Sequence, residues 1–265
     1  MDTLQQMLLP GVAVPLGLSL ALAASARRFH WQGAWGLALI WLLSYFWIRG
    51  VSGLPPREAV DWLWLIGLTT LAAGIIPIAS RGRWLLLSGL LAAYLSIIAW
   101  PALRYNASLL LFVEMAVVTA AGAMVLHRLT SGRDSSASAM PMAIVSGGYA
   151  VVAALGGSLV VGLLSGALAS ALGGFALYEF RPRTSGGALP ARATLLATVW
   201  LLCLMFVGRV YADFPSGPLA LLLAALVMGL LVSARRPWHA MLIAGLPTAA
   251  AIAWLVLTQD PSSYY

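Results

Sequence analysis

The sequence predicts an all-α polytopic membrane protein of about ten transmembrane helices, open to division into two five-helix halves (1–131 and 139–265) of one transmembrane domain, 1–265. Three observations predict it. Of the 265 residues, 62% are hydrophobic and only 9% charged, against roughly 25% charged in a soluble domain. Apolar segments of helix-spanning length recur along the whole chain. Eleven of the fifteen arginines fall toward one face of the alternating segments.

The apolar segments lie at 6–26, 33–49, 62–80, 84–103, 108–127, 139–155, 158–178, 192–212, 217–234 and 238–257. Their lengths suit a hydrocarbon core about 30 Å thick. The first resembles a secretory signal, with "ALAASA" before Arg27, but the residues before it carry Asp2 and no positive charge, and it contains Pro10 and Pro15. It is therefore read as the first span. The linkers "RRFHWQG", "SRGR", "SGRDSSASA", "RPRTSGGALPA", "ADFPSG" and "SARRP" are turn-like and too short for a soluble domain. The longest, "GVSGLPPREAVD" at 50–61, holds two prolines.

Residues 139–178 carry no charge, and one helix of that length would rise about 58 Å, too far for a single crossing. The sequence "LGGS" at 155–158 supplies a break, because adjacent glycines permit a tight turn. Charge counting agrees. With ten spans and the N-terminus outside, one face receives eleven arginines (27, 28, 81, 83, 128, 133, 181, 183, 192, 235, 236) against Asp134 and Glu179, a net of +9. The other face receives Arg49, Arg57, Arg104 and Arg209 against Asp2, Glu58, Asp61, Asp213 and Asp260, a net of −1. The intramembrane Glu114 then restores the chain total of +7. Cationic loops stay cytoplasmic, so both termini are expected outside. All fifteen basic residues are arginine, the codon habit of a GC-rich bacterial genome, and the expected location is the bacterial inner membrane. Trp31, Trp35, Trp47, Trp62, Trp64, Trp84, Trp100, Trp238 and Trp254 fall near span ends, as interfacial aromatics do, while Trp41 and Trp200 lie deeper.

Five spans before and after "SGRDSSASA" would make duplicated halves inverted in the membrane, as in many secondary transporters. No sequence repeat between the halves is visible. The count is similar to that of the drug/metabolite transporter superfamily, whose usual orientation has both termini inside. That is a likeness of topology only.

The basic residues form no stripe or run, so nucleic acid is not an expected partner. The single Cys203 permits no intrachain disulfide or cysteine metal cluster and reads as a buried small residue. His30, His127 and His239 map to the inner rim without carboxylate or thiol at ligand spacing. The nucleophile-elbow pattern fails at Ser165, because Leu163 stands where a glycine belongs. No phosphate-cradling loop, cofactor motif or paired intramembrane aspartate occurs. No cofactor is expected, and an intramembrane enzyme ranks third among the readings, for want of a catalytic set.

Three features remain. Small residues recur every fourth position at Ser146, Ala150, Ala154, Ser158, Gly162, Gly166, Ser170 and Gly174. Such seams let helix backbones approach in lipid. Ser158, Gly162, Gly166, Ser170 and Gly174 are the candidate helix-packing seam. It serves tight packing or, alternatively, a sliding surface; a break at Gly156–Gly157 would divide the ladder between two antiparallel helices. Glu114 lies roughly 9 Å inside the fifth span by helical rise. A carboxylate facing lipid there costs about 2–3 kcal/mol or more, so it should face the bundle interior, be protonated or pair with a cation. Arg209, three residues from the outer end of the eighth span, is the first candidate partner, with Arg104 and Arg49 next. The competing role for Arg209 is an i,i+4 pair with Asp213 or snorkelling to headgroups. Glu114 and Arg209 are the substrate- or proton-binding candidates. Finally, Pro15, Pro77 and Pro247 interrupt spans and free carbonyls that a ligand, water or hydroxyl can use.

The sequence thus points to a small inner-membrane transporter or permease for a small solute or lipid-like molecule, with the lipid bilayer as its solvent. The alternative is a non-catalytic subunit or scaffold whose small-residue seam binds other subunits or a second copy. The first expects a polar cavity lined by Glu114. The second expects a solid bundle with the seam turned outward.

Overall fold

A computed structural model describes residues 8–25, 32–50, 56, 58–75, 80–105, 108–131, 136–137, 139–179, 189–231 and 237–258. Among them are ten α-helices: α1 (Val14–Ser25), α2 (Gln32–Arg49), α3 (Trp62–Ile75), α4 (Ser80–Tyr105), α5 (Leu109–Ser131), α6 (Met140–Leu155), α7 (Leu159–Glu179), α8 (Ala191–Tyr211), α9 (Ser216–Leu231) and α10 (Pro237–Thr258). A π-helical turn, Leu9–Ala13, leads into α1, and a 3-10 turn, Ala59–Asp61, leads into α3. A two-residue antiparallel ladder, β1 (Ser136–Ala137) with β2 (Leu189–Pro190), ties the segment after α5 to the start of α8.

Five helices contain stretches long and apolar enough to cross a membrane: Gly82–Tyr105, Leu109–Thr130, Leu159–Leu177, Ala193–Tyr211 and Met241–Thr258. The apolar helices Leu9–Ala23, Trp35–Arg49, Ala59–Ala73, Met140–Leu155 and Ser216–Leu231 are shorter. A 16-residue helix such as α6 rises only about 24 Å. The arginines at 27, 28, 57, 133, 181, 183, 235 and 236, together with His30, Pro77 and Asp260, lie outside the described residues.

The break in 139–178 falls where the glycines permit it. α6 ends at Leu155, Gly157 takes φ +88°, and α7 starts at Leu159. The amide of Ser158 closes the turn on the Ala153 carbonyl at 2.9 Å. A side chain at Gly157 would be strained at that φ. The four-residue ladder is therefore not one continuous stripe: Ser146, Ala150 and Ala154 belong to α6, and the positions from Gly162 onward to α7.

The bundle is organised around α8. Every residue from Ala193 to Gly208 is buried, as expected of a helix that is apolar on all sides. α5 is its opposite: Leu109, Leu110, Val113, Val117 and Met124 are each about half exposed or more. A continuous apolar face of that size belongs in lipid rather than water.

The two tryptophans that sequence placed deep meet in the core. Trp41 of α2 and Trp200 of α8 are fully buried and stacked, with centroids 4.9 Å apart and planes at 15°. The Trp200 indole N–H donates to the hydroxyl of Thr70 on α3 at 2.7 Å, so one side chain joins three helices. Trp200→Phe keeps most of the volume but loses that donor. The expected cost is about 1 kcal/mol, read as a small fall in the melting temperature of the purified protein in detergent.

Candidate functional site

Glu114 lies in the second turn of α5, and Arg209 in the last turn of α8. The loop after α8 reverses sharply: the amides of Ala212 and Phe214 both return to the Gly208 carbonyl, at 3.0 and 3.5 Å, and Asp213 takes φ +49°. Phe214 is buried and packs edge-on against Tyr149, centroids 6.1 Å apart. That anchor fixes the start of α9, so Ser216 is held over the end of α8.

The structure brings Glu114 and Arg209 into direct contact. Arg209 Nε donates to both carboxylate oxygens, at 3.1 Å to Oε1 and 2.9 Å to Oε2. The hydroxyl of Ser216 donates to Oε1 at 2.7 Å. The side chains of Arg209 and Glu114 are 23% and 17% exposed, respectively, so both charges have lost most of their water. Pairing plus the serine donor offsets that desolvation. Arg209 thus engages Glu114 rather than Asp213, which is exposed. Its contact is one-sided: Nε makes it, and the two terminal Nη nitrogens have no protein partner among the described residues.

The pair lines a cavity of about 150 Å³ between α5, α8 and α9. Its other walls are apolar, among them Val117, Met205, Phe206, Leu219 and Leu223. Val113 and Val117, on the α5 wall, are each about half exposed. The site is therefore an apolar cleft with one charged and hydroxylated end.

The other candidate partners of Glu114 stand elsewhere. Arg49 is a correction: it pairs with Glu58 and with Asp61, the latter at 3.3 Å from Nε to Oδ1. Asp61 is buried, and Glu58 and Asp61 cap each other's backbone at the start of the 3-10 turn. This cluster borders a separate cavity of about 240 Å³, with Ser158, Val161, Val207 and Tyr211 on its walls. Arg104 is exposed at the end of α4.

The seam residues of α7 face inward, and not all against one neighbour. A Cβ on Gly162 would lie 3.1 Å from the Ala150 carbonyl and 3.3 Å from the Ala154 amide of α6. Gly166 is looser, 3.6 Å from the Gly11 carbonyl of the π-turn. Ser170 donates to that same carbonyl at 3.4 Å. The reason is legible in the chain: Pro15 has no N–H to offer the carbonyl four residues before it, and a hydroxyl from α7 contacts it instead. Gly174 is the tightest, with Ser19 and the Leu20 amide of α1 within 3.0 Å of its would-be Cβ. Ser158 sits in the turn and lines the Arg49 cavity.

Sequence reasoning missed Ser216. Its signal was weak, a serine in the turn-like "ADFPSG" with nothing to distinguish it from a solvated linker residue. Among the described residues no group of three or more His, Cys, Asp or Glu could hold a metal ion. His127 packs edge-on against Trp84, centroids 5.1 Å apart, and His239 is exposed. Cys203 is fully buried in α8.

No family model, curated protein or solved structure matches the chain.

Proposed function

We propose that the chain is a ten-span permease of the bacterial inner membrane, with both termini outside, moving a small solute or lipid-like molecule through the cleft between α5, α8 and α9. The observation that carries this reading is the Glu114–Arg209 pair on the cavity wall. A chain with so few charges places two of them, three-quarters or more buried, around a space large enough for a small group. Charges in such positions mark substrate and ion pathways by default. The short helices α6 and α9 and the interruptions at Pro15 and Pro247 suit a bundle whose members shift against one another.

The scaffold alternative has less support. The seam that was to bind partners is spent inside the chain, against α6, the π-turn and α1.

Reconstitution tests the reading. Proteoliposomes should move at least one member of a panel of small solutes and short-chain lipids faster than protein-free vesicles. Glu114→Gln together with Arg209→Gln, which strands no charge, should cut that flux tenfold or more in a protein that still folds. Equal flux with and without protein across the panel would set the permease aside. Orientation is tested separately: reporter fusions after Arg133 and Arg236 should read cytoplasmic, and one after Asp260 should read outside. A cytoplasmic C-terminus would contradict the ten-span count.

A further inference from the structure

Resting on the permease reading, we infer that the cleft takes an amphiphile with an anionic head and a short apolar chain, and that Arg209, not Glu114, is the residue that grips the head. Arginine and carboxylate commonly pair through two parallel N–H bonds in a fork. Here Arg209 reaches Glu114 through Nε alone, and among the described residues both Nη nitrogens are without a protein partner. Those nitrogens carry donors suited to a phosphate or carboxylate. Ser216 opens α9 at the same end of the cleft, so the positive end of that helix dipole adds to the attraction for an anion. Glu114 and Ser216 then become positioning residues: the Ser216 hydroxyl holds Glu114, and Glu114 holds the guanidinium by one edge and leaves the other edge to the ligand.

The remaining walls select the chain. Val117, Met205, Phe206, Leu219 and Leu223 offer no hydrogen-bond donor. A cavity of about 150 Å³ is of the size that accepts a benzene-sized group, roughly six carbons. A free inorganic anion would leave that apolar space empty, and an uncharged chain would leave the Nη donors unused. The occupant that satisfies both ends is a chain-bearing anion.

The test is calorimetric titration of the full chain in phosphatidylcholine nanodiscs, with empty nanodiscs as the blank. Hexyl phosphate, inorganic phosphate, hexanol and hexyltrimethylammonium are the probes. Hexyl phosphate should bind at least tenfold more tightly than each of the others. Ala220→Trp, which fills the cleft from α9 without touching a charge, should weaken hexyl phosphate tenfold at an unchanged melting temperature. Arg209→Gln in a Glu114→Gln background, which strands no charge, should erase the preference for hexyl phosphate over hexanol. Inorganic phosphate binding as well as hexyl phosphate, the ammonium binding as well as the phosphate, or indifference to Ala220→Trp each overturns the inference. Hexyl phosphate binding in a protein that moves nothing in proteoliposomes leaves this inference standing and removes the permease. Flux of an uncharged solute without hexyl phosphate binding does the reverse.

Discussion

Gly174→Leu yields little folded protein. Even a single added carbon at Gly174 would fall 1.9 Å from Ser19 Oγ and 3.0 Å from the Leu20 amide. The serine side chain can turn away, but the α1 backbone cannot move without dragging the π-turn that Ser170 contacts. A leucine adds three further carbons to that space. Overpacking a tight core costs about 1–3 kcal/mol. This site belongs at or above the top of that range, because the obstruction includes backbone. Gly162→Leu is expected next, since it meets the Ala150 carbonyl and Ala154 amide, and Gly166→Ala should be near neutral, with its closest atom at 3.6 Å. Thermal melts in detergent, followed by size-exclusion of the soluble fraction, give the ranking. Equal stability of all three variants would mean that α7 does not pack closely on α1 and α6.

Removing one partner of the ion pair should be worse than removing both. Glu114→Ala leaves Arg209 cationic in a cleft with little water, and Arg209→Ala leaves Glu114 with only the Ser216 hydroxyl. For a fully buried pair, stranding one charge costs about 3–5 kcal/mol. With side chains 17% and 23% exposed, about 2–3 kcal/mol is the reasonable expectation. The double replacement Glu114→Gln with Arg209→Gln loses the mutual attraction but strands nothing, and should sit within about 1 kcal/mol of the parent. Melting temperatures of the three proteins, compared as a double-mutant cycle, measure the coupling. Additive losses would contradict a direct contact between the two side chains.

The helices and the partner of Glu114 were readable in the sequence for the same reason: in an apolar chain each polar residue needs a physical account. Forty uncharged residues could not be one helix, and Gly156–Gly157, near the middle of the stretch, offered a turn. Glu114 and Arg209 shared a depth and had opposite signs. The fate of Arg49 was less legible, because its partners Glu58 and Asp61 stand just before α3, and their meeting with the end of α2 is set by tertiary packing. Ser216 was hidden for a similar reason, since its position depends on the Phe214 anchor and the reversal at Asp213. The ladder misled in one respect. A four-residue period looks continuous on paper, yet a turn at Gly157 gives its two arms different neighbours, and the tightest contact of the α7 arm is with α1 at the far end of the chain.

If both termini lie outside, as proposed, the charged end of the cleft is reached from outside the cell. Cysteine labelling tests it most directly, because the single native thiol, Cys203, is fully buried. Ser216→Cys should react with a membrane-impermeant maleimide in right-side-out vesicles, and hexyl phosphate should slow that reaction. Labelling of Ser216→Cys only in inverted vesicles, or no labelling from either side in a folded protein, would contradict the account.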